Sequence, residues 1–456
     1  MTTPEEVQQA IGMWLKDALE RLPGSTWPFK DEFADFLGVD PGGLPILAED
    51  FDGAEHPNLQ LALEALAGSS TPWRGVAGQN KRFSGLTLSD LIASRGDQWA
   101  PKPGPVEYIN RPIGEGTALA CIQFGYALIE SPAGKAVLFV RGPTEHSHPP
   151  QGQIEVMALE QSTAVDIMAR LRSLMHAHNV YRGKVVTFGS NQYGAFTLHF
   201  ASLPVVGRDQ VIVPTDTLRA MERHTIEMTH LADRLRASGR HLKRGLLLYG
   251  SPGTGKTHSL AYLVGQMPER SVILLSGLGL GVLSRAFALA RTLQPALVVL
   301  EDVDLVAMSR DLPGMDVNPL LFELLNQMDG LAEDVDLIVA LTTNRVDLLE
   351  PALAARPGRI DQALEIPLPV PHLRRKLIEL YGRGLDLQIE DWDSHLRRTE
   401  GASPALIKEL LRRAAVIAAE SDSATITDQV LRQALDEVLS SGSRLAGLLG
   451  GSAVPT

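Results

Sequence analysis

Apolar and polar positions alternate along this chain in a pattern that changes near residue 207. Beyond that point, short apolar runs alternate with segments of helical spacing. The runs lie at 246–249, 272–276, 296–300, 337–341 and 363–367, with helical segments at 256–267, 282–293 and 318–328. Strands that alternate with helices predict a parallel sheet covered by helices on both faces. We therefore predict an α/β fold for this part of the chain.

The segments on either side of this region have different patterns. Apolar, strand-like runs at 117–129 and 135–141 precede a helical stretch at 162–178, which indicates an α+β region. After residue 371 the spacing is helical throughout, until a Gly/Ser-rich tail. We predict five parts: residues 1–100 helical and loop, 101–206 α+β, 207–370 α/β, 371–440 helical, and 441–456 a flexible tail.

The N-terminal stretch 5–22 has apolar residues at helical spacing and predicts an amphipathic helix. We expect it to pack on the protein's own core, and a membrane-surface role is the alternative. No run of about 18 apolar residues is present, so we expect no membrane span.

Composition narrows the class of protein. The chain has 456 residues, 44 % hydrophobic and 21 % charged, as in ordinary globular proteins of several domains. Its net charge of −12 disfavours broad binding to nucleic acid or to anionic membrane. A single cysteine, Cys121, excludes an internal disulfide framework and suits a cytoplasmic location.

The octapeptide Gly250-Ser-Pro-Gly-Thr-Gly-Lys-Thr257 joins an apolar run to a helical segment. Glycines allow several backbone N–H groups to point at one phosphate, and the helix that follows directs its positive end at the same anion. Lys256 would reach the β and γ phosphates, and the Thr257 hydroxyl would bind Mg²⁺. A plain strand-to-helix turn is the alternative. The predicted nucleoside triphosphate site comprises Gly250, Ser251, Pro252, Gly253, Thr254, Gly255, Lys256, Thr257 and His258.

Acids follow the apolar run at 296–300, in the order Glu301, Asp302 and Asp304. A triphosphate-hydrolysing site needs one carboxylate to help hold hydrated Mg²⁺ and another to orient and polarise the attacking water. A solvated acidic loop is the alternative. The position of the acids, at the end of a buried strand in a parallel-sheet pattern, favours catalysis.

Two further polar elements follow. Asn344 ends the apolar run at 337–341 and could hydrogen-bond the γ-phosphate or the water while staying neutral; a turn-forming asparagine is the alternative. Arg356 and Arg359 flank a Pro-Gly pair and are permanently charged, planar groups. Such arginines can stabilise charge on a γ-phosphate bound by an adjacent protomer.

Together, and in this order, these elements resemble those of the AAA ATPases, the ring-forming remodelling branch of the AAA+ class. The resemblance covers about residues 207–440. The matches are Gly250–Thr257 with Walker A, Leu300–Asp304 with Walker B, Leu324–Gly330 with the signature before sensor 1, Asn344 with sensor 1, Arg356 and Arg359 with the arginine fingers, and Glu400–Ala405 with the start of the lid helix.

The resemblance implies a P-loop AAA+ parallel-sheet domain and a helical lid, preceded here by the α+β region. It implies ATP and Mg²⁺ as cofactors and a ring of identical subunits, most often a hexamer. Arg356 and Arg359 would act on ATP in the neighbouring subunit. Residues 1–205 would recruit a protein client, whose identity the sequence does not give.

The chain departs from the family pattern in three places. Walker B usually reads Asp-Glu, whereas Glu301-Asp302 is similar to the mitochondrial inner-membrane AAA translocase branch. By position, Glu301 becomes the magnesium-side acid, together with Thr257, and Asp302 the water-activating base. Leu278 and Leu280 stand where unfoldases carry an aromatic pore loop, which puts threading of a substrate in doubt. Pro404-Ala405 replaces the usual Gly-Ala of the lid.

The leading hypothesis is a Mg²⁺-dependent ATPase that forms a ring and remodels or disassembles a protein partner. The alternative is a nucleotide-switched binding or scaffold protein with negligible turnover, which the reversed acids and the missing pore aromatic favour. A nucleic-acid motor is a weaker alternative, because the chain is acidic and has no basic stripe.

Overall fold

The computed structural model describes residues 27–68, 71–77, 85–95, 100–143, 151–190, 196–276, 282–304, 319–330, 335–346 and 360–440. The chain divides into two compact units. Unit 1 is Met1–Val180 with Gly189–Phe200, and unit 2 is Tyr181–Phe188 with Ala201–Thr456. The helix predicted at 5–22 and the tail at 441–456 lie outside the described residues.

Unit 1 contains a five-stranded antiparallel sheet in the order β1-β7-β6-β5-β4. Its strands are β1 (Ile46–Asp52), β4 (Glu107–Gly114), β5 (Thr117–Ser131), β6 (Gly134–Arg141) and β7 (Gln151–Ala158). A shorter pair, β2 (Gly75–Ala77) with β3 (Lys102–Gly104), and strand β9 (Phe196–Phe200) also belong to this unit. The apolar runs predicted at 117–129 and 135–141 are confirmed as the β5–β6 hairpin.

Helices cover both faces of the five-stranded sheet. They are α1 (Pro28–Leu37), α2 (His56–Ala67), α3 (Leu88–Ala93) and α4 (Gln161–Ala177). In β6, Leu138 and Val140 join the core under α2 and α4, while Val137 and Phe139 join the core under α1 and α3. A strand that is buried on both faces reads as a continuous apolar run, as β6 does.

Unit 2 contains a parallel sheet in the order β14-β10-β13-β12-β11-β8. Its strands are β8 (Val185–Ser190), β10 (Arg244–Tyr249), β11 (Ser271–Ser276), β12 (Ala296–Glu301), β13 (Leu337–Thr343) and β14 (Gln362–Glu365). The α/β fold predicted for this part of the chain is confirmed. In β10, Leu246 and Leu248 lie on one face of the sheet and belong to the same apolar core. Leu247, between them, lies on the other face and is also fully buried, so both faces of the sheet are covered.

Part of strand β8 belongs to the sheet of unit 2, whereas the sequence placed this segment in the α+β region. Val185–Thr187 pair in parallel with Val272–Leu274 of β11, so this part of β8 extends the sheet of unit 2. The sequence placed it in the α+β region because it precedes residue 206, and a six-residue apolar run does not indicate which sheet it joins. The bounds proposed for the five parts of the chain stay predictions.

The helices around this sheet include the three predicted at 256–267, 282–293 and 318–328. They are α5 (Thr215–Glu222), α6 (Met228–His230), α7 (Ala232–Ala237), α8 (Lys256–Gly265), α9 (Leu283–Thr292) and α10 (Pro319–Asp329). One five-residue π-helical turn, Arg223–Glu227, lies between α5 and α6.

A helical region follows, as predicted, with α11 (Pro371–Tyr381), α12 (Trp392–Arg398), α13 (Pro404–Glu420) and α14 (Asp428–Ser440) around their own apolar core. We call this region the lid. Two short strands, β15 (Asp386–Gln388) and β16 (Thr425–Thr427), pair within it. They were not predicted, because three residues are too few to establish an alternating pattern. Among the described residues, no helix combines the length and hydropathy needed to cross a bilayer.

His56, the first residue of α2, is a buried imidazole with 1 % of its surface exposed. Its Nε2 lies 2.8 Å from the carbonyl oxygen of Ile122, and its Nδ1 accepts from Arg111 Nε at 3.5 Å. A neutral ring satisfies both contacts with one donor and one acceptor nitrogen. Burial, with a smaller contribution from the Arg111 charge, lowers the pKa of His56 to about 4.

His56 should therefore lower the stability of unit 1 in mild acid, in opposition to Glu55 and Glu155, whose pKa values burial raises. The unfolded chain takes up a proton on His56 near the ordinary pKa of 6.5, whereas the folded unit does so only near about 4. The contribution of neutral His56 to the free energy of unfolding is fully present above pH 6.5. It decreases as the pH falls from 6.5 to about 4, by about 3 kcal/mol at most. Urea unfolding followed by tryptophan fluorescence measures this loss, since four of the five tryptophans precede residue 100.

His56→Gln is the matched variant, because the glutamine amide keeps an N–H donor and does not titrate. Its unfolding free energy should fall less steeply over the same pH range than that of the natural protein. Equal slopes for the two proteins would contradict the assignment of this acid sensitivity to His56.

Candidate functional site

The predicted site residues of unit 2 lie at one edge of the parallel sheet. Strands β10, β12 and β13 are neighbours that run in the same direction, so the loops after them leave the sheet side by side. These loops begin at Gly250, Asp302 and Asn344. Ligands of open parallel sheets bind in the crevice outside the carboxyl ends of the strands.

The loop after β10 depends on its glycines. Gly250, Gly253 and Gly255 have positive φ angles of 149°, 77° and 101°. A Cβ atom at Gly250 would lie 2.3 Å from the carbonyl oxygen of Ile366, so no other residue fits there without a backbone shift. Helix α8 starts at Lys256, and among the described residues no side chain caps its first N–H groups. These N–H groups can therefore bind an anion.

Lys256 is 6 % exposed and its ammonium group is held in three directions. Nζ donates to the backbone oxygens of Gly250 at 2.9 Å and Ser251 at 3.0 Å, and to Oδ1 of Asn344 at 2.8 Å. All three acceptors are neutral. A buried cation with neutral acceptors is a strong attractor for an anion.

Two carboxylates compensate part of the cost of burying this cation. Burial lowers the pKa of Lys256, while the charges of Asp302 and Asp304 act in the opposite direction. The cleft therefore contains a positive group at the glycine loop and negative groups beside it.

The two acids after β12, Asp302 and Asp304, are held by different hydrogen bonds. Asp302 has a positive φ of 48°, and its backbone N–H donates to Thr342 Oγ1 at 2.9 Å. Asp304 is 3 % exposed, and its Oδ1 accepts from Thr343 Oγ1 at 2.9 Å and from the backbone N–H of Asn344 at 3.0 Å. Asp304 thus fixes the backbone at the end of β13. The sequence named Asp304 only as part of an acidic run and did not predict this role.

Asn344 connects the cation to the acids. Its Oδ1 accepts from Lys256, and its Nδ2 lies 3.4 Å from an oxygen of Asp302 and 3.4 Å from an oxygen of Asp304. The polar atoms from three loops thus form one network. The sequence predicted Lys256, Asp302 and Asn344 as site residues, and the structure brings them together.

A cavity of about 520 Å³ opens beside this network. Lys256, Thr257 and His258 of the glycine loop and α8 line one wall, together with Asp302 and Asn344. This volume lies in the range of small-molecule sites. Of the two acids predicted to act together, Asp302 lines the cavity, whereas Glu301 is not among the described residues that line it.

The lid also contributes to the lining of the cavity, through Pro404 and Ala405 at the start of α13. The backbone N–H of Ala405, in the first turn of α13, donates to the carbonyl oxygen of Gly253 at 3.2 Å. Further lining residues were not predicted, and they are Leu203, Pro204, Ala261, Tyr381 and Lys408. Ala261 lies in the helix predicted after the glycine loop. The others come from segments far apart in the sequence and belong to no local motif, so the sequence alone contained no signal for them.

The remaining residues that the sequence singled out do not belong to this polar network, or lie outside the described residues. Thr254 is buried and its hydroxyl donates to the carbonyl oxygen of Ser251 at 2.9 Å, so it stabilises the loop itself. Arg356 and Arg359 lie outside the described residues, as do Leu278 and Leu280.

Comparison with known proteins supplies an independent observation. Residues 246–368 match the sequence model of the ATPase family associated with various cellular activities (AAA). This range starts in β10 and ends just after β14, so it includes the glycine loop, the acids and Asn344.

Curated relatives match longer stretches of the chain, in alignments of 276, 214 and 243 residues for the three named here. The ATP-dependent zinc metalloprotease FtsH 2 of Sphaerobacter thermophilus is 30 % identical over 57 % of this chain and 42 % of its own length. The 26S proteasome regulatory subunit 8 homolog of Schizosaccharomyces pombe is 33 % identical over 44 % of this chain and 53 % of its own. The proteasome-activating nucleotidase of Archaeoglobus fulgidus is 32 % identical over 50 % of this chain and 61 % of its own. The chain thus spans about half the length of these relatives.

Proposed function

We propose that residues 246–368, which match the AAA family model, form an AAA domain that binds ATP with Mg²⁺ in the cavity beside Lys256 and hydrolyses the ATP. The observation that carries the proposal is the buried Lys256 ammonium, which has only neutral acceptors beside an uncapped helix start. Two of the relatives have names that contain "ATP-dependent" and "nucleotidase", which supports the same activity.

The residues present fit a triphosphate. The phosphates would replace the carbonyl and amide oxygens around Lys256 Nζ, and the N–H groups at the start of α8 would donate to them. Leu203, Pro204 and Tyr381 give the cavity an apolar part that suits a nucleoside base.

The residues present also fit a magnesium ion. Hydroxyl and carboxylate oxygens are the ligands that Mg²⁺ prefers. We assign the ion to the Thr257 hydroxyl, which lines the cavity, and to Glu301, which ends β12 outside the lining and would help to hold the hydrated ion. When bound, the ion would neutralise charge on the β and γ phosphate oxygens.

In the proposed reaction, Asp302 is the group that accepts a proton. The oxygen of a water attacks the γ-phosphorus, the bond from that phosphorus to the bridging oxygen breaks, and a proton of the water passes to the Asp302 carboxylate. Asn344 would orient the water or the γ-phosphate, because its amide is already held between Lys256 and Asp302. Lys256 would stabilise the negative charge on the phosphates.

We further propose that copies of the chain form a ring, with six subunits as the expected number, in the cytoplasm. Arg356 and Arg359 would contact ATP bound by the neighbouring subunit. A protein client would bind through residues 1–205, a proposal supported by the separate cores of unit 1. The single cysteine, Cys121, supports the reducing location.

Lys256→Ala should weaken ATP binding by at least ~10-fold, because a hydrogen bond to a charged group contributes ~1.5–3 kcal/mol. Isothermal titration with ATP and Mg²⁺ measures the change. Lys243→Ala is the matched control, since Lys243 Nζ also donates to a backbone oxygen, that of Met328 at 3.0 Å, but does not line the cavity. Unchanged ATP affinity in the Lys256 variant would contradict the proposed site.

Asp302→Asn should keep ATP binding and lower the hydrolysis rate by ~10²–10⁴-fold, because the amide keeps the shape and loses the basicity. Glu301→Gln should instead weaken the Mg²⁺ dependence of binding. Steady-state phosphate release and titrations with and without Mg²⁺ separate the two effects.

Each outcome of that pair of variants is informative. If Asp302→Asn turns over normally and Glu301→Gln does not, the two proposed roles are reversed. If the natural protein binds ATP without measurable turnover, the chain is the nucleotide-switched binding protein of the alternative hypothesis.

Arg359→Ala should bind ATP and hydrolyse it slowly, because an arginine that stabilises the transferring phosphoryl group contributes ~10³–10⁵ in rate. Mixing this variant with Lys256→Ala should restore part of the activity. In mixed rings, some junctions place an intact Lys256 site next to an intact Arg359. A mixture that forms mixed rings and stays inactive would exclude action between subunits.

A further inference from the structure

The short 3₁₀ turn Arg208–Gln210 precedes α5 and contacts both α8 and the lid. We infer that this turn couples the nucleotide cavity to the lid, with Asp209 as a positioning residue whose ion pair to Arg383 sets the affinity for ATP. The inference rests on the proposed function, since it concerns regulation of the same site.

On one side, the turn contacts the residue that follows the glycine loop. His258 lines the cavity, and its Nε2 lies 3.2 Å from the carbonyl oxygen of Gln210. A carbonyl oxygen only accepts, so Nε2 carries the proton of this hydrogen bond. A displacement of the first turn of α8 on ligand binding would therefore move the turn.

The same turn is tied to α8 a second time, through Glu222. Arg208 donates two hydrogen bonds to the Glu222 carboxylate, at 2.7 and 3.1 Å. The Tyr262 hydroxyl on α8 donates to the same carboxylate at 2.6 Å. Desolvation, followed by the contact with Glu222, raises the pKa of Tyr262 to about 12, so the hydroxyl stays a donor.

On the other side, the turn contacts the lid through one charged pair. Arg383 Nη2 donates to Asp209 Oδ2 at 2.8 Å, and both side chains are more than half exposed. Arg383 follows α11, whose last residue, Tyr381, lines the nucleotide cavity. The hydrogen bond from Arg383 keeps the pKa of Asp209 below its ordinary value, so the pair is charged at neutral pH.

The turn itself is held in shape by its own hydrogen bonds. The backbone N–H of Gly207 donates to Gln210 Oε1 at 2.7 Å, and the N–H of Gln210 donates to the carbonyl oxygen of Gly207 at 3.0 Å. A turn closed in this way moves as one body, so its contacts to α8 and to Arg383 shift together.

The space between the turn and α11 allows such a shift. A second cavity, of about 470 Å³, is lined by residues 208–218 and by α11. Within this segment Ile212 packs against the apolar core of the lid, so the open space lies beside the turn while Ile212 holds the segment to the lid. Since an exposed ion pair adds little to stability, the Asp209–Arg383 contact can break and re-form without unfolding the lid.

Charge reversal tests the coupling. Asp209→Arg and Arg383→Asp should each weaken ATP binding by about two- to five-fold, because each places like charges at the junction. The double variant restores opposite charges and should return the affinity to within about two-fold of the natural protein. Isothermal titration with ATP and Mg²⁺ measures the affinity, and the thermal unfolding midpoint of each variant verifies that the fold is intact.

Arg172 and Glu49 provide the matched control. They form an exposed pair in unit 1 with a distance of 2.7 Å, and Glu49→Arg should leave the ATP affinity unchanged. If the natural protein binds no ATP, the proposed function itself fails. If it binds ATP and the single reversals have no effect, or the double variant does not recover, only the coupling is overturned.

Discussion

The buried ammonium group of Lys256 is the constraint on which the rest of the candidate site depends. A cation removed from water must be compensated, and here compensation comes from the glycine loop, from the amide of Asn344 and from two carboxylates beyond it. The amide can serve only because Asp304 holds the backbone at Asn344. Positions on three separate strands are therefore linked through one side chain.

The same constraint explains why the network is compact. Strands β10, β12 and β13 are adjacent and parallel, so their loops need only a few residues to meet. A substitution at Asp304 would act on Lys256 through Asn344, without touching the cavity. The lid adds to this arrangement through the backbone of Ala405, which binds the glycine loop directly.

Much of the second unit could be predicted from the sequence, because its strands are buried on both faces and read as apolar runs. The glycine loop could be predicted because its residues are contiguous and each has a local physical reason. The sequence identified Asp304 as an acid but did not predict that it holds the backbone at the end of β13. Its hydrogen-bond partners, Thr343 and Asn344, lie about forty positions away in the sequence. Tyr381 and Leu203 line the cavity because segments distant in the sequence pack together there. The spacing of apolar residues along the chain does not predict such packing. The placement of β8 was missed for the same reason.

Strand β8 has a practical consequence for dividing this protein into fragments. The chain leaves unit 1 after Val180, supplies Tyr181–Phe188 to unit 2, returns for Gly189–Phe200 and then crosses again. A fragment cut at residue 207 would keep the glycine loop but lack β8. Strand β11, with the sequence Ser-Val-Ile-Leu-Leu-Ser, would then become a bare sheet edge with unpaired backbone groups. Such an apolar edge recruits strands from other molecules, so a fragment truncated in this way would tend to aggregate even if every residue around its cavity from 250 onward were present.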